Sequence, residues 1–215
     1  GAWTRDDSVW PTYGATPDFN LSMADNFVNQ LLHAVWQAGV LDLSMDSSAL
    51  GLDLASIQDF LPLTTIEFET IPLLPPVVGP SGSGLLELGI GDMMVNVYGD
   101  PGGTYGLMMQ LAVTIQADAT LGIDANNLIQ FGVGSPTVVM NFVTSDWPNL
   151  NGEVAEDLMD AVVDLLAPML TSMLGGIGGI PIPELPGFAL GTPQIWREPV
   201  PAYYITAAGN LVLAP

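Results

Sequence analysis

Residues 22–39 (Ser-Met-Ala-Asp-Asn-Phe-Val-Asn-Gln-Leu-Leu-His-Ala-Val-Trp-Gln-Ala-Gly) constrain the fold more than any other segment. Read as a helix at about 100° per residue, Ala34, Phe27, Ala38, Leu31, Val35, Val28, Leu32 and Trp36 fill one unbroken apolar arc of roughly 200°. Asn29, His33, Gln37 and Gln30 share the rest. A helix lying on one face of a sheet needs a narrower stripe. Either a curved sheet wraps around it, or something apolar that is not protein covers the remainder. Ser22 with Asp25 three residues later reads as a capping box, and Gly39 sits where a left-handed C-terminal cap belongs.

A second helix is expected from Glu153 to Leu174. Val154, Leu158, Ala161, Val162, Leu165, Leu166, Met169 and Leu170 form its apolar arc, and Glu156, Asp160, Asp164 and Thr171 lie opposite. Asn151 is the expected N-cap, the early acids suit the helix dipole, and Pro168 should bend the helix. The uncharged run Leu165–Pro183 has membrane-spanning length, but Pro168, Pro181, Pro183 and its glycines fit a turn better than a span.

Between the two helices the apolar period falls from 3.6 to 2. Ile66–Glu69 alternates cleanly, and Leu107–Asp118 reads as one strand with Leu107, Met109, Leu111, Val113, Ile115 and Ala117 on one face. Further strands are expected at Leu85–Gly91, Met93–Tyr98, Leu128–Val133 and Thr137–Phe142, with turns at Asp100–Gly103 and Asp124–Asn127. Pro72–Gly84 reads as an internal loop. After the second helix come Gln194–Arg197, Tyr203–Ala207 and Leu211–Leu213, the last two parted by Ala208-Gly209-Asn210. Strands in series with segregated helices make an α+β arrangement, an antiparallel meander rather than βαβ winding.

At 215 residues, 49% hydrophobic and 12% charged, the chain can bury a core, most simply as one domain over residues 1–215. Its charge is lopsided: 23 Asp and Glu face only Arg5 and Arg197, with no lysine, for a net −21. Nucleic acid needs cationic side chains to neutralise phosphates, so it is excluded as a partner, and anionic lipid surfaces would be repelled. The acids are dispersed, as on a solvated surface suited to salty surroundings. No cysteine is present, which removes disulfides and thiol chemistry. Gly1–Pro11 lacks the apolar run of a signal peptide, as expected of a mature or trimmed form.

Catalytic chemistry has few materials here. His33 is the sole histidine and falls on the polar arc of the first helix, where a solvent-facing or capping role is expected. Ser81 and Ser83 do not fit the Gly-x-Ser-x-Gly pattern in either register. Asp118, Asp124 and Asn126 lack calcium-loop spacing, and a turn accounts for them. No enzyme activity, no cofactor and no metal site are expected.

Several segments, taken in order, carry a family resemblance. Asp25–Leu41 resembles the first helix and the following strand of domains related to the bactericidal/permeability-increasing and lipopolysaccharide-binding proteins, most of all their C-terminal barrel. Ile71-Pro72-Leu73-Leu74-Pro75-Pro76 is similar to the proline-bearing strand that comes after that helix. Gly179–Pro183 through Pro186-Gly187-Phe188 resembles the proline-rich stretch after the second helix, and Ala202–Ile205 with Gly209–Val212 resembles the closing hairpin.

The resemblance implies a tubular lipid-binding fold: a long, curved antiparallel sheet wrapped around a long helix, a second long helix alongside, and an apolar tunnel. The implied function is non-catalytic lipid binding or transfer, with Phe27, Leu31, Val35, Trp36, Phe68, Leu158, Val162, Leu165 and Met169 as wall residues. The implied setting is extracytoplasmic, in or outside a bacterial envelope. Peripheral membrane contact without anionic attraction, a barrel-to-barrel dimer and a companion barrel in a longer native chain are the partner expectations. Because the antibacterial members are basic, lipopolysaccharide neutralisation is not carried over. The alternative is a structural or protein-interaction barrel of the envelope with little or no ligand.

Overall fold

The computed structural model describes residues 17–46, 64–82, 85–100, 103–124, 126–145, 162–163, 179–183, 186–197 and 204–213. The chain runs through β1 (Phe19–Ala24), α1 (Asp25–Gln37), β2 (Ser44–Asp46), β3 (Ile66–Pro72), β4 (Val77–Gly79) and β5 (Leu86–Gly99). It continues through β6 (Gly106–Ile123), β7 (Leu128–Val133), β8 (Thr137–Ser145), β9 (Ile180–Pro181), β10 (Phe188–Arg197) and β11 (Tyr204–Leu213). An eight-stranded sheet has the order β2-β3-β5-β6-β7-β9, with β4 on β5 and β8 on β6, and curls into a half-barrel. A three-stranded sheet has the order β1-β11-β10. Every described pairing is antiparallel.

The two longest strands form the spine. β5 pairs with β4 at one end and β3 at the other, while β6 likewise holds β7 and then β8 along its far edge. Met109, Leu111, Val113, Ile115, Ala117, Ala119 and Leu121 of β6 all point inward, as strand periodicity requires. Opposite them lie Leu86, Leu88, Ile90, Met93, Val95 and Val97 of β5. Val28 and Leu32 of α1, Ile66 and Phe68 of β3, Leu41 and Val162 join them in the core, with Ile129 of β7 and Ile205 of β11 among others.

Several expectations change. The described residues hold one complete helix, and it is 13 residues long rather than a long one. Of the second expected helix only Val162 and Val163 are described, both helical; the rest lies outside the described residues. The first helix begins at Asp25 because Phe19–Ala24 pair with Tyr204–Gly209, and a full strand ladder satisfies more backbone groups than one added helical turn. Ser22 is therefore no cap: its hydroxyl lies 2.6 Å from that of Thr206, and Ala24 precedes the helix without a side-chain cap. Gly39 does adopt the left-handed conformation, with φ 71°.

Strand boundaries shift for reasons visible in the ladders. Leu85–Gly91 and Met93–Tyr98 are one strand, carried across a bulge between Ile90 and Met93 where Asp92 has φ 49°. A second bulge leaves Met108 as an extra residue on β6, so Met108 and Met109 are both buried and Leu107 turns out to solvent. Pro72–Gly84 is not all loop, since it contains β4. The expected break at Ala208–Asn210 does not occur. Residues 204–213 form one strand flanked on both sides, and the hairpin joins β10 to β11 instead. Gly209 serves close approach there: a Cβ would meet Leu190 Cδ1 at 2.7 Å and Gly191 O at 2.9 Å.

β8 lies against β6 alone among the described strands, with Val139, Phe142 and Val143 exposed.

Candidate functional site: an apolar groove between two sheet edges

α1 presents two different apolar surfaces. Val28 and Leu32 point into the core together with Asp25, Asn26 and Asn29. Asn29 is buried by pairing with a strand: its Nδ2 donates to Val78 O at 3.1 Å and its Oδ1 accepts from Val78 N at 2.6 Å, tying β4 to the helix. This rotates the buried face away from the centre of the apolar arc. Phe27 (44% exposed), Ala34 and Ala38, on the arc's far flank, are left uncovered.

Phe27 lines a groove of about 370 Å³. One wall is β1, contributing Leu21, Ser22, Met23 and Ala24; the other is Ile129 of β7 with Ile180, Pro181 and Pro183 at and beyond β9. β1 ends the small sheet and β9 ends the path of the large one, so the groove is the gap between two sheet edges. A narrower cavity of about 40 Å³ continues the seam past Pro183 to Phe19, Phe188 and Leu190. Proline offers no N–H, so Pro181 and Pro183 keep the β9 edge from zipping onto β1.

One ion pair lies next to the groove in the chain. Asp25, next to Ala24, accepts from both terminal nitrogens of Arg197 at 3.0 Å each, and Arg197 Nε donates to Leu85 O. The pair is buried, with side chains 2% and 11% exposed. Among the described residues no ionisable side chain lines the groove itself.

The expected wall residues scatter. Phe27 lines this groove; Leu31 and Val35 are half-buried on the same helix; Phe68 and Val162 sit in the core. Trp36 donates from Nε1 to Pro72 O at 2.9 Å, and its ring lies 5.4 Å from that of His33. Leu158, Leu165 and Met169 lie outside the described residues. His33 does not simply face solvent, for its Nδ1 is buried and makes no hydrogen bond. Sequence reasoning missed Leu21 and Met23 because it began the helix at Ser22, and it missed Ile129 and Ile180 because nothing local places β7 and β9 beside that helix. The alternation of Phe19, Leu21 and Met23 was the available signal.

Two other polar clusters are closed on themselves. Glu67 accepts from Ser44 Oγ at 2.5 Å and from Tyr105 OH, and Glu69 accepts from Asn96 Nδ2 at 2.9 Å and Tyr98 OH at 3.0 Å. These bonds hold the Glu67 carboxyl below its ordinary range and push Tyr105 up to about 12. Asp124 accepts from the backbone of Asn126 and Leu128 at 2.8 and 2.9 Å, which lowers its pKa and shapes the β6–β7 turn; Asp118 instead takes the Ser81 hydroxyl at 2.7 Å.

The chain matches no protein-family model and no curated protein sequence. Its fold is similar to that in the crystal structure of lipopolysaccharide binding protein, with a TM-score of 0.54 at 13% identity. The match covers 98% of this chain and 48% of that one, so the chain spans about half the length of the protein it resembles. The fold resemblance read from the ordered segments is borne out, and at this identity it is a likeness of fold.

Proposed function

We propose that this domain binds a lipid or another apolar small molecule, non-catalytically, in the groove between β1 and β9. The observation that carries the reading is the uncovered flank of α1, where Phe27 faces an apolar gap that neither sheet fills. Enclosing a methylene is worth about 0.8 kcal/mol, so a long acyl chain gains on the order of 10 kcal/mol before ordering costs. Likeness to a protein that by name binds lipopolysaccharide supports a lipid ligand. Leu31, Val35, Leu158, Leu165 and Met169 are proposed as further wall residues, with Trp36 near the mouth. The resemblance also supports an extracytoplasmic setting, in a bacterial envelope or outside it.

Native mass spectrometry of gently purified protein, followed by organic extraction and lipid analysis, tests this. A co-purifying apolar ligand is expected. Ligand-free protein that also takes up no apolar fluorescent probe would sink the proposal. It would favour the second reading, a protein-interaction barrel, for which the exposed apolar edge of β8 speaks.

A further inference from the structure

We infer that the groove selects an uncharged, single-chain amphiphile, such as a long-chain alcohol or monoacylglycerol, over its anionic counterpart. This rests on the reading that the groove holds a lipid. Among the described residues its lining supplies no cation to receive a carboxylate or phosphate. Arg197, the guanidinium among the described residues, is committed to Asp25 and to Leu85 O. The chain has no lysine anywhere, and its 23 acids against two arginines give it a strongly negative net charge, which disfavours the approach of an anion. An anionic head placed here would lose water without gaining a partner, whereas an uncharged head loses little.

The described wall is apolar apart from Ser22, whose Oγ lies 2.6 Å from Thr206 Oγ1. Size sets the number of chains. At about 370 Å³ the open groove has some two and a half times the ~150 Å³ of a cavity that takes up one benzene, a size that suits one alkyl chain.

The test is displacement of bound N-phenylnaphthylamine at neutral pH and low salt by matched pairs: dodecanol against dodecanoate, and monododecanoylglycerol against the lysophosphatidate of the same chain. The uncharged member should displace at a concentration at least about tenfold lower. Phe27→Lys, at a position exposed enough to tolerate it, should narrow that ratio by supplying a cation, and Phe27→Gln should not. Equal or better displacement by the anions in the wild-type protein overturns the selectivity while leaving lipid binding intact. An unchanged ratio in a folded Phe27→Lys protein overturns the groove as its seat. Failure of every ligand and of the probe itself overturns the lipid-binding reading as well. The wild-type comparison needs no variant, so a Phe27→Lys protein that does not fold leaves the inference open to refutation.

Discussion

Arg197 holds Asp25 in a two-pronged ion pair across 172 residues of sequence, joining β10 to the first turn of the helix. Both charges are nearly out of water, so removing one strands the other. Arg197→Met should cost about 3–5 kcal/mol, read from the urea midpoint, and Asp25→Leu added to it should recover much of that loss. A single variant as stable as wild type would mean that the pair is hydrated in solution.

Asn29→Leu should free β4. Two bonds to Val78 vanish and leave its backbone amide and carbonyl unpaired, at a cost of about 1–3 kcal/mol for each group stranded. Hydrogen exchange at Val78 reads the effect locally, and unchanged protection there would deny the clamp.

Gly209→Ala places a methyl group against Leu190 and the carbonyl of Gly191. Leu190 can move aside, but the carbonyl belongs to the paired strand. Loss of about 1–3 kcal/mol is expected from thermal melts, and a neutral substitution would show that β10 gives way.

Tyr105 and Glu67 give a pH signature. The raised Tyr105 pKa favours the folded state below the ordinary value of about 10, and that contribution fades as pH rises towards about 12. The lowered Glu67 pKa acts oppositely: its contribution is present above the ordinary carboxyl range and is lost as pH falls through the folded value. In Glu67→Gln the Tyr105 titration, followed by ultraviolet absorbance, should drop towards the ordinary value. Should it stay where it was, the hydrogen bond is not the cause.

A net charge of −21 predicts a melting temperature that rises between low and molar salt as repulsion is screened. A fall would remove the dispersed-acid reading.

Local periodicity made much of this architecture legible, and pairing partners decided the rest. The alternation of Leu111, Val113 and Ile115 announced β6, while Leu107 went astray because a bulge at Met108 shifts the phase, and a bulge leaves no mark in apolar period. Ser22 and Gly209 misled for a common reason. Each carries a local signal, a cap in one case and a turn in the other, that antiparallel neighbours on β11, or on both sides of it, override. The width of the helical arc was read correctly as more than one sheet could use. The groove residues it meets on β7 and β9 come from segments distant in sequence, and those on β1, though next to the helix in the chain, lie on a strand that no helical wheel describes.

β8, which pairs with β6 alone among the described strands, gives the acidic surface a second office. Val139, Phe142 and Val143 are exposed on it, and strand edges of that kind elsewhere are guarded by lysine or proline. Here mutual repulsion between whole molecules stands guard, reaching about 10 Å at 0.1 M salt and far less at molar strength. Salt that steadies each molecule thus strips its colloidal protection, and thermal resistance and solubility pull in opposite directions as brine concentrates.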